Sequence, residues 1–473
     1  MSRLYLLLIL YDFLYILLSP FIFIYLLSRK DSRKRLKEYL GIRQIKGDKN
    51  RKDKKSNNNR KITILIHGVS VGEVLSAIPL VKLLKERLNA QFILSTTIED
   101  ALKASKPFSK LFEDQIFLPL DFSFSMKSFL NKISPDAIII SETDFWPNML
   151  YLCYERKIAL YLTNGRISQK IYSGCVKTTP LSTQLLLAFS KFYVQRPIDE
   201  KRLHQIGIPL GKIVISGNTK YEGVLQINEP DETVDNILST LGSNDCSYIV
   251  GGSTHPGEEK MIMSLLKNNT SMNIKLIIAP RIVNRSKEIK EIASSLNLTS
   301  ILYSTYKTNL NKKTEKNEDV CNEQDSNINN EQEPNVNNEQ KWDILIVDEL
   351  GVLKYIYSVA EIVFIGGTFS TIGGHNFLEA AIHQKAIITG PDLHNFSEDS
   401  KLFIDKKALI QVKTPEEFTN KVIELLATKT ADETGKRAFE LLMKNQGAST
   451  IIANDILEDL NMRGKISLKD ELN

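Results

Sequence analysis

Apolar runs of five to seven residues recur along this chain, separated by stretches of helical periodicity. In the first half they are "ITILI" from Ile62, "FILST" from Phe92, "QIFLPL" from Gln115, "DAIIIS" from Asp136, "ALYLT" from Ala159 and "KIVIS" from Lys212. In the second half they are "YIVGGS" from Tyr248, "IKLIIAP" from Ile274, "DILIVD" from Asp343, "EIVFIGG" from Glu361 and "AIITG" from Ala386. A strand with one wet face alternates apolar and polar residues, whereas a strand buried on both faces is apolar throughout. Continuous apolar strands with helices between them predict parallel sheets covered on both sides, an α/β architecture.

The series breaks at 226–245, "QINEPDETVDNILSTLGSND", which reads as a linker. Two Rossmann-like domains follow, at 61–225 and 246–445. At 473 residues with 42% hydrophobic content the chain is too long for one ordinary domain and rich enough for two cores. Inside the second domain, 307–341 is almost free of apolar residues and predicts a disordered surface insertion, because it cannot offset its ordering entropy. The closing residues 446–473 read as a helix and tail that pack back on the first domain.

The N-terminus follows another pattern. Residues 4–28, "LYLLLILYDFLYILLSPFIFIYLLS", are apolar apart from Asp12 and two serines, and about 20 such residues cross a bilayer. Residues 1–30 therefore predict a membrane-anchor helix and 31–60 a basic linker. Arg29, Lys30, Arg33, Lys34, Arg35 and Lys37 behind the apolar run place the remainder of the chain in the cytoplasm. Asp12 and Pro20 leave open a helix lying in the interface. Much of the net charge of +5 sits in this tract, which reads as a membrane-surface feature and not as a nucleic-acid arm.

Open parallel sheets bind ligands beyond the carboxyl ends of their strands. The turn "HGVSVGE" puts Glu73 at a helix start, where it is either a general base or a carboxylate complementing the helix dipole. "SETDFWPN" supplies Glu142 and Asp144, "TNGRIS" supplies Arg166, and "SGNTKYEG" supplies Lys220. In the second domain "GGSTHPGEEK" offers backbone N–H groups and hydroxyls where a phosphate could sit, and "APRIVNR" offers Arg281. "GGTFSTIGGHNFLEAA" offers Gly373 and Gly374 ahead of a helix and Glu379 within reach of ribose hydroxyls. Together these turns describe a nucleotide-sugar site.

Absences narrow the chemistry. The sequence holds no G-x-x-x-x-G-K-[ST], no full dinucleotide fingerprint, no Asp-x-Asp pair and no H-E-x-x-H. Four dispersed cysteines without a CxxC form neither a disulfide framework nor a zinc site. No cofactor and no metal are expected, so cations and helix ends must hold the phosphate.

In order and spacing, "HGVSVGE", "SETDFWPN", "NGRIS", "GNTKY", "GSTHPGEE", "APR" and "GGHNFLEAA…GP…HNF" resemble the 3-deoxy-D-manno-octulosonic acid (Kdo) transferases of lipopolysaccharide synthesis. The resemblance runs from the N-terminal helix to the last helices and omits only the Asn-rich insertion. It implies a GT-B-like fold with an interdomain cleft, and inverting, metal-independent transfer of Kdo from CMP-Kdo to the lipid A precursor (lipid IVA) at the cytoplasmic leaflet of the inner membrane. Carried over by position, it implies Glu73 as general base, with Glu142 and Lys220 stabilising the transition state. Donor contacts fall to Pro280 and Arg281, to Leu350, Gly351 and Val352, and to Asn376, Phe377, Leu378 and Glu379. The chain reads "ELGVL" where the family has an acidic residue after the glycine, so Val352 offers no side-chain bond there. The rival expectations are a membrane-associated GT-B transferase using another nucleotide sugar and a catalytically silent lipid-binding scaffold.

Overall fold

The computed structural model describes residues 2–28, 35–41, 61–226, 230–243, 245–268, 273–322 and 342–466. They form two compact units, the first from Met1–Gln226 with Asn445–Asn473 and the second from Ile227–Lys444.

The first unit is built on seven strands: β1 (Ile62–His67), β2 (Ala90–Thr96), β3 (Asp114–Phe117), β4 (Ala137–Ser141), β5 (Ala159–Gly165), β6 (Lys191–Val194) and β7 (Ile213–Ile215). Their order is β3-β2-β1-β4-β5-β6-β7, and every pairing is parallel. Alternate residues of the same apolar run feed opposite cores. Leu65, Ile93, Ile138, Ile140, Leu160 and Leu162 pack on one face, and Ile64, Ile66, Phe92, Leu94, Ile139 and Tyr161 on the other. Both faces being dry is the reason these strands carry no polar alternation.

Under the second face lie the helix Val71–Arg87 and the last helix among the described residues, Ala448–Met462, with Ile452, Ile456 and Leu460 fully buried. Its polar side chains are used as fasteners: Tyr161 donates to Asp459 at 2.6 Å and Tyr193 to Asp455 at 2.7 Å. At its start, Glu222 accepts from the N–H groups of Gly447 and Ser449, a carboxylate on two orphan donors of a helix N-terminus.

A helix runs from Ser2 to Ser28. Asp12 accepts from Ser123 N–H (3.2 Å) and Asn148 Nδ2 (2.9 Å), and Tyr15 meets Phe122 edge-on at 5.1 Å. Leu10, Phe13, Leu14, Leu17 and Phe21 face outward, with Phe21 71% exposed. Among the described residues no helix is long and apolar enough to cross a membrane. Most of the basic tract at 31–60 lies outside the described residues.

The second unit repeats the plan with β8 (Ser247–Thr254), β9 (Ile274–Pro280), β10 (Ser300–Leu302), β11 (Ile344–Ile346), β12 (Ile362–Ile365), β13 (Ala386–Thr389) and β14 (Ile410–Gln411). The order is β10-β11-β9-β8-β12-β13-β14, again parallel throughout. Ile249, Leu276, Ile278, Ile344, Ile346, Ile362 and Phe364 share one of its faces.

Two expectations are corrected. The stretch read as a linker contains the helix Glu232–Gly242, which belongs to the second unit. Asp231 caps it by accepting from Val234 N–H at 2.8 Å, and Val234, Ile237 and Leu241 make a buried stripe at helical spacing. The segment read as disordered from 307 is helical as far as Asn322, in the helix Tyr303–Asn322. It is seeded by buried Tyr303 and by Ser304, whose N–H (2.9 Å) and Oγ (2.6 Å) bond the Asp348 carboxylate, after which elongation costs little. Residues 323–341 lie outside the described residues.

Candidate active site

In the first sheet the strand order reverses between β1 and β4, and in the second between β8 and β12. Such switch points leave a crevice at the carboxyl ends because neighbouring strands send their chains in opposite directions. The turns after these four strands carry most of the residues singled out above.

Glu73 follows β1. Ser70, in extended conformation, caps the helix Val71–Arg87 by accepting from Glu73 N–H (3.2 Å), and its hydroxyl donates back to Glu73 Oε1 (2.8 Å). Val69 N–H donates to Oε2 at 2.6 Å. This is a reciprocal capping arrangement, so the helix-terminus role of Glu73 is realised in full. It does not exhaust the residue. Burial, and then the charge of Glu142, raise its pKa above the usual carboxylate value, against the lowering effect of the Val69 and Ser70 bonds.

Glu142 follows β4 and adopts φ +63°, a left-handed conformation that a residue with a Cβ pays for in strain. Its N–H is held by Thr163 O at 2.8 Å, and Lys220 Nζ lies 2.5 Å from its Oε1. Lys220 sits at the start of a short helix, with its N–H on Asn218 Oδ1 (2.9 Å). Buried Asn164, also at positive φ, accepts from Thr219 N–H at 3.2 Å and reaches Glu142 at 3.5 Å. Close packing fixes the placement, since a Cβ on Gly223 would lie 2.9 Å from Ser76 Cα. Asp144 completes the cluster, its pKa raised to about 6 by burial and the charges of Glu73 and Glu142. At the end of β1, His67 is fully buried with Nδ1 2.9 Å from Ser95 Oγ, and burial lowers its pKa to about 4, so it is neutral at pH 7. Two carboxylates, Glu73 and Asp144, are thus raised by burial and by the charge of Glu142 in a centre that also holds Lys220, an arrangement that can take up a proton.

In the second unit the Gly-rich turns are arranged differently from the expectation of a free backbone cradle. Buried Glu258 fills it: its carboxylate accepts from the N–H groups of His255 (2.9 Å), Gly367 (2.9 Å), Thr368 (3.0 Å) and Phe369 (3.0 Å). These donors knit the β8 and β12 turns together and are not available to a phosphate. Gly252 lies beneath Tyr357, whose hydroxyl would be 2.0 Å from a Cβ there.

Arg281 is exposed at the end of β9, its N–H on Thr254 O at 3.0 Å. Asn376 donates from Nδ2 to Glu379 Oε1 (3.1 Å) and accepts from Leu378 N–H (3.2 Å). Burial raises the Glu379 pKa, opposed by Asn376, Lys354 and Arg281. Phe377 and Leu378 point into the core, Phe377 against Phe403 at 5.0 Å, so only their backbone is offered to a ligand. Pro280 and Val352 are buried, whereas Leu350 is 78% exposed beside Gly351 at φ +87°. The structure thus groups Glu73, Glu142, Asp144 and Lys220 in one unit, and Arg281 near Glu379 in the other. Sequence reading did not single out Glu258, Asn164, or the contact between His255 and His375, whose Nε2 atoms are 2.8 Å apart. The Glu258 side chain three residues after His255 is the one local signal of a cap; the other contacts join distant segments.

The family model of 3-deoxy-D-manno-octulosonic-acid transferase (kdotransferase) matches residues 34–223. A 3-deoxy-D-manno-octulosonic acid transferase of Rickettsia bellii is 30% identical over 435 residues, covering 90% of this chain and 92% of that protein. A bifunctional glycosyltransferase/methyltransferase of Fusobacterium nucleatum is 29% identical over 404 residues, or 84% of this chain, and the chain spans 58% of its length. The UDP-GlcNAc 2-epimerase of Neisseria meningitidis, solved with UDP-GlcNAc, aligns with 84% of this chain and 100% of its own at a TM-score of 0.55 and 13% identity, a likeness of fold alone. The two parallel α/β units resemble those of GT-B glycosyltransferases. By the identity and span of the Rickettsia relative, the chain belongs to the 3-deoxy-D-manno-octulosonic acid transferase family of glycosyltransferases.

Proposed function

We propose that this protein transfers Kdo from CMP-Kdo to a sugar hydroxyl of the lipid A precursor, with inversion and without a metal ion. The observation that carries the mechanism is the cluster of Glu73, Glu142, Asp144 and Lys220 at the first switch point. A sugar hydroxyl is a poor nucleophile until its proton is taken as attack proceeds, and a placed carboxylate typically contributes ~10²–10⁴ in rate. Glu73 is the base: its raised pKa makes it a stronger proton acceptor than a free carboxylate, and the Val69 and Ser70 bonds hold it in one place. Lys220 and Glu142 form a fixed dipole beside it, the ammonium facing charge that develops during transfer.

Arg281 is the cation for the departing nucleotide phosphate, and Asn376 with Glu379 meets the ribose. Attack opposite the leaving phosphate inverts the anomeric centre with no covalent intermediate. The exposed apolar side of the N-terminal helix, Leu10, Phe13, Leu14, Leu17 and Phe21, is the membrane attachment, lying in the cytoplasmic leaflet where the acceptor's sugars are found.

The test is incubation of the full chain in detergent with CMP-Kdo and tetraacyl lipid A precursor in EDTA, with product mass as the readout. A gain of one or more Kdo units supports donor, acceptor and metal independence together. No gain with CMP-Kdo, and a gain with another nucleotide sugar, would replace the donor.

A further inference from the structure

His255 follows β8 and His375 lies in the turn after β12, so the two imidazoles bridge the second switch point. Their Nε2 atoms are 2.8 Å apart, the rings are within 4° of parallel, and their centroids are 5.1 Å apart. The centroid separation is the N···N distance plus two ring radii. The contact is therefore an in-plane hydrogen bond along the line of centres, not face stacking. Such a bond holds one proton, which fixes the tautomers. The ring that donates from Nε2 has a bare Nδ1 when neutral, and the ring that accepts must carry its proton on Nδ1.

Among the described residues neither Nδ1 has a protein partner. The neutral pair thus presents one donor and one acceptor outward. One proton from solvent, added to the bare Nδ1, converts both outward nitrogens into donors and gives the pair a positive charge, with the internal bond intact. The surrounding charges favour this only when an anion arrives. Arg281, whose backbone N–H bonds Thr254 O next to His255, opposes the proton. Glu258 is committed to four backbone N–H groups, Glu379 is bonded to Asn376, and His394, packed over Gly373, is bonded to Asp392. Burial, Arg281 and His255 together lower the His375 pKa to about 4, so His375 is neutral at pH 7 in the free protein.

We infer that His255 and His375 form a phosphate-binding pair that takes up one proton when the donor's nucleotide phosphate docks beside Arg281. Glu258 having filled the backbone cradle, this pair and Arg281 supply the donors that the glycine turns do not. The inference rests on the proposed CMP-linked donor.

The experiment is isothermal titration calorimetry of CMP binding to the full chain at pH 7.0 in buffers of different ionisation enthalpy. Free CMP has a second phosphate pKa of about 6 and is mostly dianionic, so binding of the dianion to a fixed cationic site releases a small fraction of a proton. The pair predicts the opposite sign, a net proton uptake. In His375→Gln and His255→Gln the uptake disappears and CMP binding weakens roughly 10-fold, by loss of a charge-assisted bond. CMP binding by wild type with no uptake, or uptake unchanged in both variants, overturns the inference and leaves the donor reading standing. No binding of CMP alongside binding of UDP overturns the donor reading itself.

Discussion

Lys220 Nζ lies 2.5 Å from Glu142 Oε1, joining the turn after β4 to the turn after β7 across 78 positions of sequence. A half-buried pair of this kind contributes little to stability, and its members hold a strained backbone at Glu142. The pair is arranged for charge placement more than for holding the fold together. Lys220→Ala is expected to lower kcat by roughly 10²–10³, as loss of a placed electrostatic group does, while thermal stability changes little. The check is steady-state transfer beside a melting curve.

Glu142 also acts on Glu73 through its charge, which raises the Glu73 pKa. A base works in its ionised form, so activity falls as pH drops through its pKa. Removing the neighbouring charge lowers that pKa and carries the acidic limb of the pH–rate profile to lower pH. Glu142→Gln is therefore expected to shift the acidic limb of kcat/KM downward in pH even as the maximum falls. A limb that stays in place would detach Glu73 from the profile.

Most of the described strands, and the turns at both switch points, were legible because a doubly buried strand leaves a continuous apolar run in the sequence. Three strands left no such mark. "KFYV" of β6 is embedded in the longer apolar stretch that begins at Leu185, and β10 and β14 are edge strands of three and two residues. The helical reach of Tyr303–Asn322 was hidden because its anchor, Asp348, lies 44 residues beyond Ser304. In the candidate site the residue types were visible and their partners were not. Nothing local in "GEEK" says that Glu258 will accept from Gly367, Thr368 and Phe369, and nothing in "STHP" announces His375, 120 positions away.

That carboxylate gives a stability prediction. Glu258→Ala leaves four buried or half-buried N–H groups without their acceptor, at a cost of about 3 kcal/mol or more. For a unit of about 200 residues this corresponds to a fall of roughly 6–12 °C in Tm, read by calorimetry. An unchanged melting curve would mean that water replaces the carboxylate in the turn.

His67 predicts how stability depends on acid. Its folded pKa of about 4 is below the ordinary histidine value of 6.5, because burial disfavours the imidazolium. Between pH 6.5 and 4 the unfolded chain binds a proton that the folded chain refuses. Stability is therefore complete above 6.5 and is lost as pH falls through that window, by up to about 1.4 kcal/mol per pH unit. Asp144, raised to about 6, works in the opposite sense between its two pKa values, so the contribution is read as a difference. His67→Gln should flatten the acid slope of urea midpoints relative to wild type, and an identical slope would count against a neutral buried His67.

Whether Glu73 takes the acceptor's proton is read from single-turnover transfer with Glu73→Gln. Glutamine can retain the carbonyl half of the bonds to Val69 and Ser70, so the helix cap persists while the basic carboxylate is gone. With Glu73 as base, CMP-Kdo binding stays close to wild type and transfer to the lipid A precursor slows by ~10²–10⁴. Transfer at a near-normal rate with the donor bound would contradict it, and would leave Glu73 as a helix-terminus carboxylate alone.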